Sequence, residues 1–183
     1  SAAAFAIKHS RSQGLAKAES GALDSWEHIK NRSLIEKCSA VACLKSPYWL
    51  QHPMILQTVL QFLEHDPGPA VRVIALQKLI EVLPFDAALR RRLVPWLGIV
   101  VTKETEQGET NFPADLDPER VRWDLARSLG QFLNADPELC LEVVALLDSP
   151  AWQPRLGAAW ALSATPQAPS PEIRARIRQL PLD

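Results

Sequence analysis

The side chains that could ligate a metal or attack a substrate are few in this 183-residue chain, and none stands at a spacing that would make them work together. His9, His28, His52 and His65 are scattered, and the neighbours Glu27-His28 and His65-Asp66 suit surface or capping pairs better than metal ligands. Cys38, Cys43 and Cys140 are odd in number and lack a Cys-x-x-Cys spacing, so they read as reduced core thiols of a cytosolic or nuclear protein, and a cytoplasmic location is expected. Glycine-rich phosphate loops, His-Glu-x-x-His and Gly-x-Ser-x-Gly are absent. No catalytic residue, metal or cofactor follows from these patterns, and no enzymatic activity is expected. What remains is binding chemistry: Trp123, Arg127 and Trp160 are of the types that anchor interfaces.

The bulk composition narrows the choice of partner. A hydrophobic share of 47% with 22% charged residues is ordinary for a packed domain, and the net charge of -1 supplies no positive field to hold nucleic acid or an anionic membrane. The longest apolar run, 93–101, is interrupted by Pro95 and Gly98, against the ~20 residues a spanning helix needs. The chain starts at Ser1, as a fragment of a longer protein would, and residues 1–21 are expected to be a flexible terminus.

Helix starts are marked by prolines. Asp66-Pro67, Asp117-Pro118, Asp136-Pro137, Ser149-Pro150 and Ser170-Pro171 each set a capping side chain before a proline suited to the first helical turn. Between them apolar residues recur every three or four positions, as in Ile55, Val59, Leu60 and Leu63. The pattern predicts helices near 22–31, 33–45, 52–64, 70–83, 86–101, 118–133, 137–148, 151–164 and 171–179, and no strand.

A motif then repeats: Val71-Arg72 with Ala75 and Leu79, Val121-Arg122 with Leu125 and Leu129, and Pro154-Arg155 with Ala158 and Leu162. The helices pair into units of 52–83, 86–133 and 137–164. Arg122 and Arg155 are 33 residues apart but Arg72 and Arg122 are 50 apart, so the middle unit holds an insertion at 102–116. Its Glu104, Glu106, Glu109 and Asp115 against Lys103 predict a solvated acidic loop, with a recognition loop or flap as the alternative.

These repeats resemble the HEAT family of helical solenoids over about 52–164. Asp66 precedes Val71-Arg72 at the family's spacing, and Pro95 sits where the family has a kinking proline; Pro154 in place of valine departs from the pattern. The resemblance implies an all-α fold, an α-solenoid of about three HEAT-like repeats with an extra helical segment at each end, forming one domain over 22–183. It also implies that Arg72, Arg122 and Arg155 bridge repeats through turn aspartates and backbone carbonyls. The runs Arg90 to Arg92 and Arg174, Arg176 and Arg178 read as solvated helix faces.

At 100° per residue, the face opposite the buried stripe of each second helix carries Val73, Gln77 and Ile80, then Trp123, Arg127 and Gly130, then Leu156, Trp160 and Ser163. In a HEAT-like stack this is the concave lining. It is apolar and aromatic where a solvated face would be charged. Trp123, Arg127, Trp160, Gln77 and Leu156 are therefore the expected contacts for a protein partner, and the chain reads as a non-catalytic scaffold or adaptor. Two arrangements would remove that surface: coverage by residues 1–32 or by the insertion, or tight curling that makes the tryptophans core. Trp26, Trp49, Trp96 and Trp152 are expected in core or inter-repeat packing. The resemblance offers other readings. HEAT-like DNA glycosylases use a basic groove with tryptophans and an aspartate, which Trp123-Asp124, Arg127 and Trp160 echo; the net charge argues against it. Deoxyhypusine hydroxylases need repeated His-Glu pairs that this chain lacks, and no residue pattern singles out the chromophore site of the phycobilin lyases.

Overall fold

Proline fixes φ and removes an amide that a helix start leaves unbonded, so Pro53, Pro69, Pro118, Pro137 and Pro171 each open a helix at little cost. The computed structural model describes Trp26 and residues 28–45, 47–99, 101, 116–167 and 170–179. Among these the chain is all-helical, with eight α-helices and no strand. They are α1 (Leu34–Ala42), α2 (Pro53–His65), α3 (Pro69–Val82), α4 (Ala87–Leu93), α5 (Pro118–Gly130), α6 (Pro137–Ala145), α7 (Trp152–Ser163) and α8 (Pro171–Arg178). Residues 1–25 and the acidic insertion at 102–115 lie outside the described residues.

Caps set the boundaries. Asp117 accepts from the Glu119 amide, Asp136 from Leu139, and Ser170 from Ile173, as the Asp-Pro and Ser-Pro pairs predict. Two expected starts are displaced. Asp66 accepts from the Gly68 amide in the turn before α3, and Ser149 accepts from Ala151 before α7, so each helix begins after its proline rather than at it. Ser33 and Glu36 form a reciprocal capping box on α1, and the Ser33 hydroxyl and amide bonds hold the Glu36 carboxyl below its ordinary range.

The long helix expected over 86–101 is broken. Pro95 has no amide to continue the ladder, so α4 ends at Leu93 and a 3-10 turn takes Val94–Leu97. Similar turns follow α3 at Leu83–Phe85 and α6 at Leu146–Asp148. Another, Tyr48–Gln51, lies where no helix was expected, and it buries Trp49.

Helices α1, α3, α5 and α7 contact one another in that succession, while α2 packs on α3, α4 meets α6, and α6 packs on α7. The buried side chains form one continuous cluster, from Trp26 through Leu79, Leu97 and Leu129 to Leu162. Close backbone approach sets the spacing along the row. A Cβ on Gly130 of α5 would strike the Ala161 carbonyl of α7, and one on Gly157 of α7 would strike the Leu97 carbonyl of the turn after α4.

Basic side chains tie successive elements. Lys37 of α1 pairs with Asp66 at 2.7 Å and lies over Phe62 of α2. Arg72 donates to the Leu63 carbonyl and lies 5.4 Å from the Trp96 ring. Arg155 donates to the carbonyls of Ser149 and Pro150. These carbonyls lie within the same expected unit as the arginine (52–83 and 137–164) rather than in a neighbouring one, Arg122 bonds Glu119 of its own helix, and Asp66 pairs with Lys37 rather than Arg72. The run Arg90 to Arg92 is not a merely solvated face: Arg90 stacks 3.8 Å from the Phe132 ring, Arg91 pairs with Asp136 and Glu138, and Arg92 with Glu64.

Two further expectations are corrected. Trp26, Trp49 and Trp96 are buried, but Trp152, the first residue of α7, is 49% exposed. Cys43 is exposed at the end of α1 rather than in the core, and Cys38 and Cys140 are half-buried.

Glycine to alanine stabilises an ordinary helix interior by about 1 kcal/mol. Gly157→Ala is expected to do the opposite, lowering the free energy of unfolding by about 1–3 kcal/mol in urea denaturation through overpacking. A stabilised variant would contradict the close approach of α7 to Leu97.

Candidate functional site

On α5 the buried stripe is Val121, Arg122, Leu125, Ala126 and Leu129, which leaves Arg120, Trp123 and Arg127 facing outward. Spacings of three and four residues bring these onto one face. Trp123 is 38% exposed, and the guanidinium groups of Arg120 and Arg127 each lie 5.6 Å from its ring centroid. Contacts of that kind at an exposed site are worth about 0.5–1 kcal/mol each, enough to orient the indole. Arg120 is also neutralised by Asp124 at 3.5 Å.

Two clefts open beside this face. The larger, about 450 Å³, runs between α3 and α5 and is lined by Gln77, Ile80, Glu81, Val121, Asp124, Arg127, Ser128 and Gln131. The smaller, about 260 Å³, lies between α5 and α7 and is lined by Trp123, Arg127, Gln131, Trp160, Ser163 and Ala164. Arg127 and Gln131 border both. The Gln131 amide donates to the Ala164 carbonyl at 3.0 Å and ties the two helix ends.

Of the residues expected from the sequence, Gln77 and Arg127 meet in the larger cleft, and Trp123, Arg127 and Trp160 in the smaller. Leu156 is half-buried and lines neither of the two. Val73 and Gly130, from the same stripe, are buried: α3 is covered between α1 and α5, and Gly130 abuts Ala161. The stripe calculation missed Arg120, Asp124 and Gln131. Arg120, three residues before Trp123, could have been found from same-face spacing; Gln131 lies past the last helical turn, where that spacing no longer applies.

Trp160 is half-buried for a specific reason. Arg122 of α5, only 2% exposed, lies 5.1 Å from its ring and donates to Glu119 at 2.8 Å. Its Nε and Nη1 are buried and have no hydrogen-bond partner among the described residues. A guanidinium desolvated this far and only partly paired is costly, and the indole face compensates in part. Trp160 therefore has two roles: it supports Arg122 and walls the smaller cleft.

The described residues contain no group of three or more His, Cys, Asp or Glu that could hold a metal ion, and no helix long and apolar enough to cross a membrane. Burial raises the thiol pKa of Cys38, with the Asp66 carboxylate adding to the effect, and burial alone raises that of Cys140. Comparisons with family models, curated proteins and solved structures return no match.

Two outcomes are expected. Glu119→Ala, which leaves Arg122 without its acceptor, should lower stability by about 1–3 kcal/mol, whereas Arg122→Met, which removes the buried charge at similar volume, should stay within about 1 kcal/mol of wild type in urea denaturation. The reverse order would contradict the account of Arg122. At neutral pH, iodoacetamide should alkylate Cys43 before Cys38 and Cys140, since raised pKa values leave less thiolate and burial limits access; peptide mass mapping over time gives the order.

Proposed function

We propose that this chain is a HEAT-like α-solenoid of about three repeats with an extra helical segment at each end, and that it serves as a protein-interaction scaffold or adaptor. In this reading the row α1, α3, α5 and α7 holds the second helices of successive units, and the outward face of α3, α5 and α7 is the concave lining. The arginine ties between units and the recurrence of Val-Arg support the assignment. The free thiols of Cys38, Cys43 and Cys140 suit a reducing, cytoplasmic setting.

One observation carries the functional reading: Trp123 stands exposed between two guanidinium groups at the border of a cleft that Trp160 also lines. Rigid aromatic and arginine side chains beside a pocket concentrate binding energy, and a solvated helix gains nothing by displaying them. A DNA-repair role on the same face is the alternative, but Glu81 and Asp124 line the larger cleft with Arg127 and leave no run of positive charge for a phosphate backbone.

Affinity capture from the native lysate with three proteins tests the reading. Wild type and Trp152→Ala, whose exposed tryptophan lies outside both clefts, should retain the same protein partner. Trp123→Ala/Arg127→Ala should lose it while its thermal unfolding and circular dichroism stay unchanged. Retention by the folded double variant would move the binding surface elsewhere. Recovery of nucleic acid, with affinity falling steeply as salt rises, would favour the alternative.

A further inference from the structure

The two clefts differ in charge. Among the described residues Glu81 and Asp124 border the larger, but the smaller has no acid, and Arg127 is its sole charged group. Among the described residues Lys37, Lys78, Arg91, Arg92, Arg120 and Arg122 each pair with a carboxylate, and Arg72, Arg90 and Arg155 donate to backbone carbonyls. Among the described residues Arg127 forms no ion pair and rests on the Trp123 ring. The other polar donors of the smaller cleft are engaged internally, Ser163 with the Trp160 carbonyl and Gln131 with the Ala164 carbonyl. What this cleft offers an occupant is one open guanidinium fork and two indole surfaces.

We infer that the smaller cleft receives an acidic peptide segment of a protein partner, a carboxylate side chain meeting Arg127 and an adjacent apolar side chain packing against Trp123 and Trp160. The inference rests on the reading of this face as a partner-binding surface and names the chemistry of its partner. A single carboxylate matches the one guanidinium that lines this cleft, and the planar fork favours two parallel bonds to it. A doubly charged phosphate would lack a second cation, since Asp124 already neutralises Arg120.

Selection of peptides from a random display library on the immobilised full chain tests this directly. The selected peptides should be enriched in Asp or Glu next to an aromatic or aliphatic residue. Each should bind Arg127→Ala and Trp123→Ala at least about tenfold more weakly than wild type. Glutarate should compete with them. Peptides without acidic enrichment, or ones that bind Arg127→Ala as tightly as wild type yet are lost from Trp123→Ala, would overturn the carboxylate assignment and leave the binding face standing. Competition by inorganic phosphate but not glutarate would also overturn it. Peptides insensitive to both substitutions, or a failure to enrich any, would contradict both this inference and the proposed function.

Discussion

The arrangement depends on how arginine side chains are taken out of water between successive helices. Arg72 lies over Trp96, Arg90 over Phe132 and Arg122 over Trp160, and in each case the ring comes from an element later in the chain. A guanidinium can be desolvated only against carbonyls, carboxylates or a π face, so each tie prescribes what its neighbour must present. Arg72 and Arg90 combine ring and carbonyl; Arg122 combines ring and Glu119, and two of its nitrogens have no partner among the described residues. Register between α5 and α7 is constrained twice over, since the indole must cover Arg122 while Gly130 lets the backbones meet at Ala161.

That constraint produces the candidate site as a consequence. Because Arg122 and Leu125 turn inward, Arg120, Trp123 and Arg127 turn outward, and because Trp160 must cover Arg122, its other surface borders a cleft beside Trp123. A core demand and a surface property are thus joined in one tryptophan. Trp123, 38% exposed, covers no buried charge: the guanidinium groups over its ring belong to the exposed Arg120 and Arg127 of its own helix. Trp160 is thereby fixed by the core, and Trp123 is left at the surface.

Much of this was legible in the residues. Proline and capping side chains placed the starts of α5, α6 and α8, and helical periodicity placed every described α-helix but α4 within a few residues. The gathering of Trp123, Arg127 and Trp160 followed from 100° per residue along the repeated motif, with Val71, Ala75 and Leu79 and their counterparts taken as the buried stripe. The rest depended on long-range contacts. Leu156 and Val73 lie on the right stripe but at levels covered by neighbouring helices, which periodicity along one helix cannot see. The splitting of 86–101 follows from a proline, and Trp152 is exposed at the first residue of α7. The role of Arg90 on Phe132, rather than in a solvated run, required knowing that α4 meets the segment after α5.

The central claim is that α5 and α7 lie side by side so that Trp123 and Trp160 border one cleft. A nitroxide label on Ser163→Cys, in a background with Cys38, Cys43 and Cys140 replaced by serine or alanine, tests it through the indole amide resonances. Trp123 and Trp160 should be strongly broadened, and Trp49, packed beside α2, should remain sharp. An unbroadened Trp123 would contradict the pairing of α5 with α7 and, with it, the cleft on which the functional reading rests.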